Sequence, residues 1–134
     1  MNEGSLNIDE LKNYWIAEAE EALQIARHLI EKNDYSYALF FGHLAIEKIL
    51  KALYIVNREE HAPPLHNLLR LAKEAGLDPD ESKTDSLLRI TAFNIEARYP
   101  DLKRTFRRKC TPEFTNKQMD IIKEIFQWIR SLLP

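Results

Sequence analysis

The sequence predicts an all-α fold, an antiparallel up-and-down bundle of four main helices plus one short helix. Three observations predict it. Apolar residues recur at three- and four-residue spacing along most of the chain, signals for helix starts precede these runs, and no stretch alternates apolar with polar residues as a half-buried strand does. Short segments join the runs, so the amphipathic stripes must bury against one another, and a bundle follows.

The first helix begins at Asn7, an N-cap with Glu10 three residues on as its capping-box partner and with Leu6 and Leu11 placed for a hydrophobic staple. Leu11, Trp15, Ala19, Ala22, Ala26 and Leu29 form its buried face, and the alanines imply close approach by a neighbour. "EKNDY" breaks the pattern, leaving Asn33 or Asp34 to cap a second helix. That helix carries Ala38, Leu39, Gly42, Ala45, Ile46, Ile49, Leu50 and Leu53. These cover more than one narrow stripe, which predicts the most buried helix of the bundle. Pro63 and Pro64 interrupt any continuation. Leu65, Leu68, Leu69 and Ala72 restart a short helix near 65–75, stopped by Gly76. A fourth helix is expected from Asp78 as N-cap, with Pro79 in its first turn and Glu81 as reciprocal partner, running through Leu87, Leu88, Thr91, Ile95 and Arg98 towards Pro100. The last helix is expected from Thr115 with Gln118, and carries Ile121, Ile122, Ile125, Phe126, Ile129 and Leu132.

A chain of 134 residues is one domain's worth, assigned here as 1–134, and enough for a hydrophobic core. With 19 basic and 21 acidic side chains, its net charge of -2 argues against a protein built on bulk phosphate attraction while leaving room for a local basic patch. The one cysteine, Cys110, excludes an internal disulfide framework and a thiolate metal cluster, and reads as a structural or incidental thiol. Neither an Arg/Lys-led apolar leader nor a long apolar run is present, so a cytoplasmic protein off the membrane is expected. Trp15 and Trp128 fit the apolar patterns of their helices as core or interface residues.

Three segments taken together, "FFGHLAIEKILKALYI", "HAPPLHNLLRLAKEAG" and "FNIEARYPD", resemble the successive signatures of HEPN domain proteins, named for higher eukaryotes and prokaryotes nucleotide-binding. The likeness covers residues 8 to 132. It implies a small helical bundle, usually a homodimer, and in prokaryotes often the partner of a separately encoded minimal nucleotidyltransferase in a toxin–antitoxin pair; other members are ribonucleases. The broad apolar coverage of the second and last helices agrees with a homodimer.

The polar residues inside these segments are the candidates for function. His43, Glu47 and Lys51 follow one another at every fourth position on one helix face. They are either the solvated edge of a core helix or the lining of a cleft that orients a base, a phosphate or a partner side chain. His61 and His66 bracket the double proline without the carboxylates a metal site needs, so no metal or cofactor is expected and capping or loop packing is the simpler role. The resemblance places this junction beside a cleft or dimer surface, which adds His66 and Asn67 as binding candidates. Asn94 and Arg98, four apart, project towards one groove. Arg98 offers a planar donor fork for phosphate and Asn94 suits a phosphate oxygen or a base edge, unless Arg98 pairs with Glu47 across the bundle.

The resemblance places the catalytic arginine of ribonuclease members at this position, followed after four to six residues by a histidine. No histidine follows Arg98 in this chain, which favours a non-catalytic binding component over the alternative, a metal-independent endoribonuclease toxin. "RYPDLKRTFRRK" then concentrates Arg98, Lys103, Arg104, Arg107, Arg108 and Lys109 against Asp101 alone, interspersed with Tyr99 and Phe106. It fits RNA contact by phosphate attraction and stacking, an acidic face on a nucleotidyltransferase, or a solvated connection between helices. Having neither a glycine-rich nucleotide loop nor the paired aspartates of a nucleotidyltransferase, the chain leaves transfer chemistry to a partner.

Overall fold

The computed structural model describes residues 6–134, and among them every regular element is a helix: α1 (Ile8–Glu31), α2 (Tyr35–Arg58), α3 (Leu68–Glu74), α4 (Glu81–Glu96), α5 (Pro100–Lys109) and α6 (Pro112–Ser131). The start of α1 is as the sequence predicts, with Asn7 Oδ1 accepting from the Glu10 amide at 3.0 Å. Asn33 then takes φ 63, a left-handed conformation that asparagine tolerates, and the chain reverses within three residues. Glu18 meets Lys48 at 3.3 Å and Lys51 lies 5.1 Å from the centre of the Trp15 ring, so α1 and α2 run antiparallel.

Helix α2 is the hub, in contact with α1, α3, α4, α5 and α6. Ala38, Leu39, Ala45, Ile46, Ile49, Leu50, Ala52 and Ile55 are all fully buried, each large aliphatic among them worth about 1.5–3 kcal/mol in burial. Much of its apolar breadth is used inside the monomer, while Phe40, Phe41, Leu44, Tyr54 and Val56 are only partly buried. Large apolar side chains that remain exposed include Leu88, Ile95, Tyr99 and Leu102, on α4, the turn after it and α5. Ala19, Ala22 and Ala26 of α1 are buried and allow the close approach that their size suggests.

Helix α6 crosses α2 at Gly42, where an added Cβ would lie 2.6 Å from Ile122 Cδ1. Gly42→Ala gains helix propensity of about 1 kcal/mol and loses about 1–3 kcal/mol to overpacking. A net loss near 1 kcal/mol is expected. Chemical denaturation of a double-mutant cycle checks the cause: Ile122→Val, which removes the offending methyl, should make the pair cost less than the sum of its members. Strict additivity would mean the contact is not the constraint.

Four boundaries differ from the sequence expectation. Helix α4 is capped by Asp80, whose carboxylate accepts from the Lys83 amide at 2.8 Å, so Asp78 and Pro79 precede the helix. Helix α6 starts at Thr111, which accepts from the Phe114 amide at 3.2 Å with Pro112 in the first turn; Thr115 and Gln118 are buried inside the helix instead. Proline fixes the φ a first turn needs, and that outweighs the later Thr-x-x-Gln pattern. Finally, 100–109 is a helix rather than an irregular connection. Pro100 ends the preceding turn and also begins α5, while Phe106 anchors the helix against Phe93 at a centroid distance of 5.6 Å. The short helix begins at Leu68, so Leu65 lies before it, and Gly76 at φ 97 closes it as expected.

Candidate functional site

The polar residues of α2 lie beneath the irregular stretch between α2 and α3. His43 is fully buried and Glu47 is 5% exposed. His43 Nε2 lies 3.1 Å from the His66 carbonyl oxygen, which can only accept, so the ring carries its proton on Nε2. Its Nδ1 is then a buried acceptor without a partner. Glu47 uses both oxygens: Oε1 is 2.8 Å from His66 Nδ1 and Oε2 is 3.1 Å from Lys51 Nζ. His43, Glu47, Lys51 and His66 thus form one chain of contacts spanning α2 and the loop. The His66 ring gives its Nδ1–H to a buried carboxylate while 62% of its side chain is exposed. Asn67 is the N-cap of α3, accepting from the Arg70 amide at 3.1 Å, so the capping role describes it. Thr91 of α4 ties the same junction down, accepting from the Leu68 amide at 3.0 Å and donating to the Leu87 carbonyl at 2.8 Å.

Burial holds the His43 imidazole below its ordinary value; the nearby charges of His66 and Arg98 push the same way, while the bond to the His66 carbonyl and the Glu47 charge oppose it. A neutral ring favoured by the fold means that the unfolded chain binds more protons in acid. This contribution is intact above about pH 6.5 and is lost as pH falls towards the folded value. His43→Gln keeps an N–H for the His66 carbonyl and is expected to flatten the acid side of the stability profile. Urea unfolding across pH measures this, and an unchanged slope would move the acid sensitivity to other groups.

Arg98 does not pair with Glu47, whose carboxylate is already occupied. It sits in the turn just past α4, and its Nε donates to the Asn94 carbonyl at 3.0 Å. Its guanidinium carbon is 5.8 Å from the centre of the Phe40 ring. Backbone bond and aromatic face together brace the guanidinium of an exposed residue. Asn94 is buried one turn below, at 6% exposure. Helix α5 continues from this point with Arg104, Arg107, Arg108 and Lys109 exposed and Lys103 half-buried. Lys103 and Arg107 lie 5.3 and 5.9 Å from the Tyr37 ring centre, and Lys109 lies 5.3 Å from that of Phe114. Phe106 is in the core and cannot stack on a base, whereas Tyr99 is exposed. The aromatic supports at Tyr37 and Phe40 were hidden in the sequence, because they belong to α2, far along the chain from the cations they carry. No three His, Cys, Asp or Glu side chains among the described residues converge in a way that would hold a metal ion, and none of the described helices is long and apolar enough to cross a membrane.

Comparison with known proteins bears on this arrangement. The model of the HEPN domain matches residues 13–132. The chain belongs to the HEPN family. The crystal structure of TT1696 from Thermus thermophilus has the same fold, with a TM-score of 0.78 at 23% identity, over 91% of this HEPN chain and 98% of that one. No curated protein matches the sequence. For a HEPN domain, the segments that carried the resemblance are the ones that meet here: α2 supplies His43 and Glu47, the loop supplies His66, and the end of α4 supplies Asn94 and Arg98.

Proposed function

We propose that this HEPN protein is a non-catalytic binding component, holding a phosphate-bearing ligand, a nucleotide or RNA, at Arg98 and along α5, and working as the partner of a separately encoded minimal nucleotidyltransferase. One observation carries the reading. The Arg98 fork, braced by Phe40 and the Asn94 carbonyl, is followed two residues on by a ten-residue helix with five cations in its last seven positions and only Phe106 buried. Such a surface suits phosphate oxygens, and it equally suits the acidic face of a protein partner. Arg98→Ala is expected to weaken RNA binding about tenfold, as loss of a charge-assisted contact, and to weaken co-purification with the nucleotidyltransferase if the groove makes that contact. Unchanged binding of both would remove the groove from the function. A homodimer belongs to the same proposal, with Leu88, Ile95, Tyr99 and Leu102 as the exposed apolar residues available to it. Light scattering that shows only monomer at micromolar concentration would contradict it.

The metal-independent endoribonuclease remains the second reading, and the Glu47–His66 contact favours it. A buried carboxylate on Nδ1 is the arrangement that orients a general base, and the ring's other nitrogen belongs to a side chain that is largely exposed. Histidine in this reading comes from before α3, not after Arg98. Loss of RNA cleavage in both His66→Ala and Arg98→Ala would support it.

A further inference from the structure

We infer that the groove between α1 and α6 is a binding site for an amphipathic carboxylate, an apolar acyl tail carrying one anionic head. The inference does not rest on the reading of Arg98 and α5, with which the groove shares no residue.

Helices α1 and α6 both pack on α2, and their backbones stay apart from each other. Between them lies a cavity of about 530 Å³, within the roughly 300–1,000 Å³ of small-molecule pockets. Its floor is apolar: Leu23 and Phe126 line it and are 7% and 6% exposed. A tail laid on that floor leaves water, and each methylene buried there strengthens binding up to about fourfold.

Helix direction decides which charges meet. Ser36, early in α2, shares a cavity with Cys110, just before α6, and further along Gly42 meets Ile122. Helix α6 therefore runs parallel to α2, and so antiparallel to α1. Glu20 of α1 meets Arg130 of α6 at 3.7 Å and closes one end of the groove. Two turns further along, about 10 Å by helix rise, Arg27 and Lys123 take the corresponding places on the two walls. Neither forms an ion pair among the described residues. Two cations on facing walls repel. A carboxylate between them turns that repulsion into attraction and accepts a charge-assisted bond from each.

The acidic neighbours in sequence do not supply this anion. Glu124 lines a separate cavity between α4 and α6, and Glu31 and Asp120 are not part of the groove wall. Glu20 is the one acid in the described wall. Its side chain and that of Arg130 are 58% and 41% exposed, so the pair is weak. Glu20→Gln should therefore tighten binding of an anion.

Octanoate, 1-octanol and octylamine, used below micelle-forming concentrations, separate the head from the tail. Backbone amide shifts place each probe, and titration gives its affinity. Octanoate should shift the Leu23 and Phe126 amides and bind about tenfold tighter than octanol, with octylamine weaker than either. Hexanoate, two methylenes shorter, should bind about tenfold more weakly than octanoate. Arg27 is exposed and Lys123 half-buried, so Arg27→Gln with Lys123→Gln should leave the fold intact and erase the advantage of octanoate over octanol. Equal affinity of the wild type for octanoate and octanol would overturn the inference. So would shifts confined to α5, which would place the anion on that surface instead, or no shift at Leu23 and Phe126.

Discussion

Glu47→Ala is expected to destabilise the protein by about 3 kcal/mol, the range measured when one member of a buried ion pair is removed. The carboxylate is nearly inaccessible and meets two donors, Lys51 at 3.1 Å and His66 at 2.8 Å. Its loss leaves the Lys51 ammonium, on a side chain only 12% exposed, with the Trp15 face as its remaining partner. It also releases His66 and so loosens the loop whose carbonyl bonds His43. Glu47→Gln retains an acceptor and should cost distinctly less. A double replacement, Glu47→Leu with Lys51→Met, should recover much of the loss, because apolar residues of similar volume do not carry the desolvation cost of the ions. Urea unfolding of the four proteins checks this order. Equal stability of wild type and Glu47→Ala would show that the carboxylate is solvated in solution.

Replacing Arg104, Arg107 and Arg108 together by Ala should lower affinity for single-stranded RNA about a hundredfold at 0.1 M salt, and make the plot of log affinity against log salt shallower by about 2, from roughly 0.7 counterion per phosphate contact. All three side chains are exposed, and alanine favours the helix, so α5 should persist around its Phe106 anchor. Circular dichroism confirms that, and anisotropy at several salt concentrations gives the slope. An unchanged slope would mean that α5 does not lie on the nucleic acid.

Much of the bundle was legible because helix starts and apolar spacing are local signals. Asn7 with Glu10, the breadth of α2 and the stop at Gly76 were all readable in a few residues. Helix α5 was not, because it contributes one buried side chain in ten residues, so its periodicity had nothing to repeat. In the sequence Pro100 marks an end, and the structure uses it as a beginning too. The site divides in the same way. Glu47 with Lys51 is an i,i+4 pair and was visible. The contact of Glu47 with His66 spans 19 residues and an irregular loop, and no spacing rule reaches across that. The alternative pairing of Arg98 with Glu47 was chemically reasonable, and His66 and Lys51 hold the carboxylate instead. Asn67, a candidate ligand, also caps the first turn of its own helix through Oδ1.

The most direct test of the central claim is incubation of the purified protein with defined single-stranded RNAs in chelator, reading bound fraction and strand length from the same samples. A non-catalytic binding component retains the RNA and returns it intact, and Arg98→Ala retains less of it. Strands shortened by the wild type but left whole by Arg98→Ala would contradict the claim and make this HEPN protein a nuclease.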